Sequence, residues 1–104
     1  MRPFTYESAE NTAAALRAFA GATGHSAAAS SVQYLAGGTT LIDLMKLDVM
    51  RPEVLVDINA LQETRLGRIE VEVRALRLGA MVRMADAAEH PAVKSEYPVI
   101  AQAL

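Results

Sequence analysis

The sequence predicts a mixed α/β (α+β) protein, a small sheet with flanking helices, and three observations carry that expectation. Two apolar runs, VQYLA (Val32 to Ala36) and VLVDI (Val54 to Ile58), are too short for helices and are separated by a stretch of helical spacing. RIEVEV (Arg68 to Val73) alternates apolar and charged residues, the signature of a strand with one buried face. Helical patterns lie before, between and after these runs, giving the order βα–βα–β–ββ–αα. The composition, 52% hydrophobic with 5% aromatic and no Trp, supports a core built from Ala, Leu, Val, Ile and Met.

Each element has its local signal. Phe4 to Tyr6 reads as a short strand, and Ser8 as the N-cap of a first helix. Ala9, Ala13, Leu16 and Ala20 form that helix's apolar face, with Phe19 flanking it, and Gly21 and Gly24 end it. HSAAASS, from His25, is a loop of small residues. Val32 to Ala36 is a strand. Leu41, Leu44 and Met45 then recur at helical spacing, from Thr39 or Thr40 to Leu47 or Asp48, and Pro52 prevents continuation. Val54 to Ile58 is expected to be buried on both faces. Ile69, Val71 and Val73 share a face opposite Glu70 and Glu72, and ALRLGA is expected to pair with them after a tight turn near Arg74 and Ala75. VRMADAAEHP suggests a short helix stopped by Pro91, and EYPVIAQAL a helix with Pro98 in its first turn. No cap follows Leu104, so the chain is expected to be the front part of something longer. Residues 1–58 are expected to form one subdomain and 59–104 the start of a second.

Charge and composition exclude several functions. Ten basic against twelve acidic residues, net −2, with no run of one sign, give no footprint for nucleic acid or an anionic membrane. No apolar run approaches the roughly 20 residues that span a bilayer. MRPFTYES lacks the apolar centre of a signal peptide. With no cysteine, disulfides, thiolate metal sites and a cysteine nucleophile are ruled out, and a reducing compartment is allowed. His25 and His90 lie too far apart for metal-ligand spacing, and no Ser–His–Asp set can be assembled.

The chemistry-bearing stretch is YLAGGTTLIDLMK, Tyr34 to Lys46. A strand running through Leu35 and Ala36 into Gly37, Gly38, Thr39 and Thr40, then a helix from Leu41, exposes unpaired N–H groups at a helix start. Glycines let a diphosphate approach the main chain where a Cβ would obstruct it. The residues alone leave a second reading level with this one: a tight turn needing positive φ, with Thr39 as an ordinary N-cap. Neither of the better-known phosphate motifs is present.

FTYESAENTAAALRAF, YLAGGTTLIDLMKLDVMRPEVLVDINAL and LRLGAMVRMADAAEHPAVKSEYPVIAQAL, in that order, resemble the FAD-binding medium subunit of the molybdenum hydroxylases, the xanthine dehydrogenase family. DLMKL after the Gly-Gly-Thr loop resembles its bacterial aldehyde oxidoreductase branch most. The resemblance implies a PCMH-type FAD-binding fold, of which this chain matches the N-terminal portion. It also implies that Leu35, Ala36, Gly37, Gly38, Thr39, Thr40 and Leu41 wrap the FAD diphosphate. Related oxidases with covalent flavin tend to carry histidine just after the Gly-Gly, where this chain has Thr39, so FAD is expected to be held non-covalently. The implied partners are a molybdopterin-binding large subunit and a 2Fe-2S small subunit. Electrons would pass from the iron–sulfur clusters through FAD to an external acceptor, in the cytoplasm or, if a partner carries an export signal, the periplasm. The alternatives are a stand-alone nucleotide- or phosphate-binding module and a non-catalytic fragment that makes subunit contacts.

The remaining polar residues have simpler readings. Lys46 could neutralise a cofactor but sits where a solvated helix-end charge is expected. Asp57 must be paired or at a strand end, and the strand end is favoured. His25 and His90 are read as surface residues, and Glu70 and Glu72 as the solvated face of a strand rather than an acid–base pair.

Overall fold

The computed structural model describes residues 1–24 and 26–104, so the sequence reading of His25 lies outside the described residues. The chain divides into two compact units, residues 1–61 and 62–104.

In the first unit β1 (Thr5–Ser8), β2 (Val32–Leu35) and β3 (Val54–Asp57) form a parallel sheet in the order β1-β3-β2. Tyr6 stands opposite Leu55 across one ladder, and Tyr34 opposite Val56 across the other. β3 is the central strand, and its neighbours Leu55 and Val56, which point to opposite faces, are each 1% exposed. The expected burial on both faces is therefore present. Ala9, Ala15, Val32, Met45 and Leu61 complete this core.

The first helix differs from the sequence expectation. β1 continues through Ser8, and α1 runs Thr12–Ala20 with Asn11 as its N-cap, the Asn11 side chain accepting the Ala14 N–H at 2.8 Å. Ser8 is thus a strand residue, and moving the start by three residues rotates the inward face. Ala15 is buried and Ala18 and Phe19 half-buried, whereas Leu16 is 64% exposed. Phe19 packs on Tyr34 with ring centroids 5.0 Å apart, and the Tyr34 hydroxyl donates to the Ala15 carbonyl at 2.8 Å. The small-residue loop holds structure that composition hid. Ser30, 8% exposed, donates its hydroxyl to the Val32 carbonyl at 2.7 Å, and Ala27–Ala29 form a 3₁₀ turn capped by Ser26.

α2 (Leu41–Lys46) ends in a tight reversal. The Asp48 N–H donates to the Met45 carbonyl and the Val49 N–H to the Leu44 carbonyl, with Asp48 at φ 57°. This is the Schellman arrangement with aspartate in the usual glycine position. Arg2 and Arg51 each reach the Asp48 carboxylate at 2.9 Å.

In the second unit β4 (Ile69–Val71) and β5 (Leu76–Leu78) form an antiparallel hairpin, and the Glu72 N–H donates to the Ala75 carbonyl across the turn. Val73 lies in that turn, fully exposed, so the strand is shorter than its alternation suggested. Three helices follow rather than two, α3 (Met84–Glu89), α4 (Pro91–Glu96) and α5 (Pro98–Ala103). Pro91 ends α3 as expected and also opens α4, since its missing N–H is harmless at a first helical position. Ala87 and Val93, at 2% and 0% exposure, anchor the packing here.

Candidate functional site

The segment from Leu35 to Leu41 forms a strand–loop–helix corner. β2 ends at Leu35, the backbone turns through Ala36 to Thr40, and α2 starts at Leu41. Ala36, Gly37, Thr39 and Thr40 are exposed, and Leu35, Gly38 and Leu41 half-buried. Intrahelical bonding begins with the Ile42 N–H donating to the Gly38 carbonyl at 2.9 Å. The N–H groups of Gly37, Gly38, Thr39, Thr40 and Leu41 have no acceptor among the described residues. They form a contiguous run of donors open to an external anion. Because α2 is only six residues long, its macrodipole adds little, so an anion at this corner would be held by the N–H donors themselves.

The two glycines differ in geometry. Gly38 has φ +77°, in the region that favours glycine, and a Cβ there would approach Ile42 Cγ1 to 3.1 Å and Leu35 Cδ1 to 3.2 Å. At Gly37 a Cβ would meet nothing within 4 Å. Thr39 does not cap α2. The N-cap is Thr40, in helical backbone conformation and without a side-chain cap bond, so both threonine hydroxyls are left for other partners.

A polar cluster borders the corner. Asp57, last residue of β3, accepts the Tyr6 phenol, the Asn59 N–H at 2.8 Å and the Asn59 side-chain amide at 2.8 Å. Asp57 is therefore both at a strand end and partnered. The Tyr6 hydroxyl above all, then the Asn59 donors, hold its carboxyl below the ordinary range, and the same contact pushes the Tyr6 phenol up. The Asn59 side chain also donates to the Ala36 carbonyl at 3.0 Å. Sequence reasoning passed over Asn59 and Tyr6. LVDIN offered one signal, an acid followed two residues later by a side chain able to close a turn on it.

Other polar residues lie apart from the corner. Lys46 is exposed at the opposite end of α2. Glu70 is more engaged than a solvated face implies: it pairs with Arg65 at 3.2 Å and Arg77 at 3.6 Å, and Arg65 chiefly lowers its carboxyl. Glu72 pairs with Arg77 at 3.6 Å. Carboxylates bound by arginine are poor general bases, so no acid–base pair arises here. His90 is half-buried rather than superficial, its Nδ1 accepting the Ala92 N–H at 3.2 Å. No metal-binding group of histidine or acidic residues occurs among the described residues. Two cavities of about 350 and 380 Å³ in the first unit are lined by residues outside 35–41.

Residues 2–104 match the family described as FAD binding domain in molybdopterin dehydrogenase. The chain is 39% identical over its full length to the aldehyde oxidoreductase FAD-binding subunit PaoB of Escherichia coli (strain K12). It is 32% identical over 93% of its length to the glyceraldehyde dehydrogenase medium chain of Sulfolobus acidocaldarius. It spans only 30% and 31% of the lengths of those relatives. Among solved structures, a chain of the carbon monoxide dehydrogenase of Hydrogenophaga pseudoflava superposes with a TM-score of 0.82 at 30% identity, over 98% of this chain and 33% of that one.

Proposed function

The chain belongs to the family of FAD-binding domains of molybdopterin dehydrogenases, and from that premise we propose that its 35–41 corner receives the diphosphate of FAD. The observation that carries this reading is the run of unpaired N–H donors from Gly37 to Leu41 beside a glycine whose Cβ position is empty. Those donors would bind phosphate oxygens, Gly37 would admit them to hydrogen-bonding distance, and the Thr39 and Thr40 hydroxyls would add further donors. Thr39 stands where related oxidases with covalent flavin tend to carry histidine, and on that resemblance the flavin is read as held non-covalently. Bound flavin supplies the redox chemistry, and these residues contribute position and electrostatics.

The larger role is part of the same proposal. We read the two compact units, 1–61 and 62–104, as parts of two FAD subdomains, with the boundary slightly past the 58/59 expected from the sequence. The chain forms the flavin portion of a molybdenum hydroxylase of aldehyde oxidoreductase or xanthine dehydrogenase type. It takes electrons from iron–sulfur clusters and passes them to an external acceptor. Its partners are a molybdopterin-binding large subunit and a 2Fe-2S small subunit, in the cytoplasm or exported with one of them. The relatives' names, an FAD-binding subunit and a medium chain, support a place in a multi-subunit enzyme. No helix among the described residues is long and apolar enough to cross a membrane.

Gly37→Asp tests the site. Its side chain points into open space and leaves the fold intact, but sets a carboxylate against the diphosphate. FAD affinity of the full chain should fall about tenfold or more, the loss of one charge-assisted hydrogen bond before repulsion is added. Unchanged affinity in a folded variant overturns the assignment.

A further inference from the structure

We propose that Asn59 is a positioning residue for FAD, acting through the Ala36–Gly37 peptide. This inference rests on the diphosphate reading above and deepens it. In a trans peptide the carbonyl and the N–H of the same unit point in opposite directions, and no cis bond occurs among the described residues. The carbonyl of Ala36 and the N–H of Gly37 belong to one such unit. The Asn59 side chain donates to that carbonyl at 3.0 Å and so fixes the plane. The Gly37 N–H is thereby directed away from Asn59, as the first of the unpaired donors. A bonded carbonyl also polarises its peptide and makes the N–H a stronger donor.

Asn59 is itself oriented. One side-chain hydrogen goes to Asp57 Oδ1 at 2.8 Å and the other to Ala36. Both neighbours are acceptors, so only the NH₂ end of the amide can occupy this place. Asp57 is held in turn by the Tyr6 phenol and the Asn59 N–H. A chain of hydrogen bonds therefore runs from β1 through the end of β3 to the first donor peptide of the loop. Nothing in it needs to touch the cofactor.

The test uses the ¹⁵N-labelled full chain, with FAD, ADP and riboflavin as probes, and follows the Gly37 amide. In the wild type this amide should shift with FAD and ADP, which carry a diphosphate, and not with riboflavin, which lacks one. Asn59→Ala keeps the main-chain bond to Asp57 and removes both side-chain links, to Asp57 Oδ1 and to the Ala36 carbonyl. It should weaken FAD and ADP about three- to tenfold, the worth of one hydrogen bond, and leave riboflavin unchanged. A merely structural role would lower all three together. A folded Asn59→Ala chain that binds FAD and ADP as the wild type does overturns the positioning role while leaving the diphosphate site standing. A wild-type Gly37 amide that ignores both FAD and ADP overturns the diphosphate reading itself. One wild-type readout does not depend on any variant folding. The Asn59 side-chain amide signals should move with Gly37 as FAD is added, and their remaining still counts against the coupling.

Discussion

At Gly38 the backbone sits at φ +77° with Ile42 and Leu35 close to where a Cβ would stand, whereas Gly37 has open space there. The pair should therefore separate under substitution. Gly38→Ala should cost about 1–2 kcal/mol through left-handed strain, while Gly37→Ala should stay within about 0.5 kcal/mol of wild type. Urea midpoints of the two variants check this, and equal losses would mean that the loop is built otherwise. The sequence made the double glycine legible as a unit. It could not say that one glycine answers a backbone angle while the other has open space at its Cβ position, because that distinction depends on where Leu35 and Ile42 end up. Asp57 carries a second prediction. Its folded-state value lies below the ordinary 3.8, because of the Tyr6 hydroxyl first and the Asn59 donors second. A lowered carboxyl contributes stability that is fully present above the ordinary value and is lost as pH falls through the folded one. The Asn59–Ala36 link should therefore hold at neutral pH and loosen only below about pH 3.8. In Asp57→Asn that acid limb should vanish. Following the Gly37 amide through an acid titration of both chains would expose a limb that persists in the variant, and with it an error in this account.

Elements show the same division between local and distant causes. β3 was legible because VLVDI is wholly apolar until Asp57, and a central strand buried on both faces needs that pattern. α1 was misplaced because Ser8 and Asn11 are both good caps, and the choice between them is made by pairing. The Ser8 backbone stands opposite Asp57 in the β1–β3 ladder, which withholds it from the helix. The face expected from Ala9 to Leu16 therefore lies one turn early. In the sequence Pro91 signals a stop, and its second role as a helix start is hidden because His90 is not among the common capping residues. Here His90 Nδ1 does the capping, accepting the Ala92 N–H at 3.2 Å. Removing that acceptor should destabilise α4: His90→Ala is expected to cost about 0.5–2 kcal/mol, and His90→Asn, a better cap by type, to recover most of it. Thermal unfolding of both variants decides the point, since equal losses would assign His90 a packing role instead.

At the scale of the whole molecule, the chain spans 30% of the Escherichia coli relative and divides into two units, 1–61 and 62–104. The corner proposed to receive the diphosphate lies wholly within the first. FAD, however, is mostly ring and ribose, and the isoalloxazine and adenine rings gain affinity by burial against apolar walls. The corner provides donors rather than walls: Ala36, Gly37, Thr39 and Thr40 are its exposed residues, and none has a large apolar side chain. Large apolar side chains do stand exposed elsewhere, among them Leu16 at 64%, Val99 at 72% and Leu104 at 46%. Val99 and Leu104 lie on α5 and at its end. A diphosphate site of amides supplies only part of dinucleotide affinity, because each neutral donor adds about 0.5–1.5 kcal/mol net and ordering the ligand opposes it. The 104-residue chain is therefore expected to bind FAD more weakly than roughly micromolar, less than about 8 kcal/mol. ADP should retain much of that affinity and riboflavin little, since the proposed contacts are made to the diphosphate. Flavin fluorescence, with ADP followed by competition, measures all three on the same sample. Saturable nanomolar binding of FAD by this chain would mean that the ring walls lie within these residues after all. Binding of riboflavin as tight as that of FAD would move the recognition away from Gly37 and its neighbours.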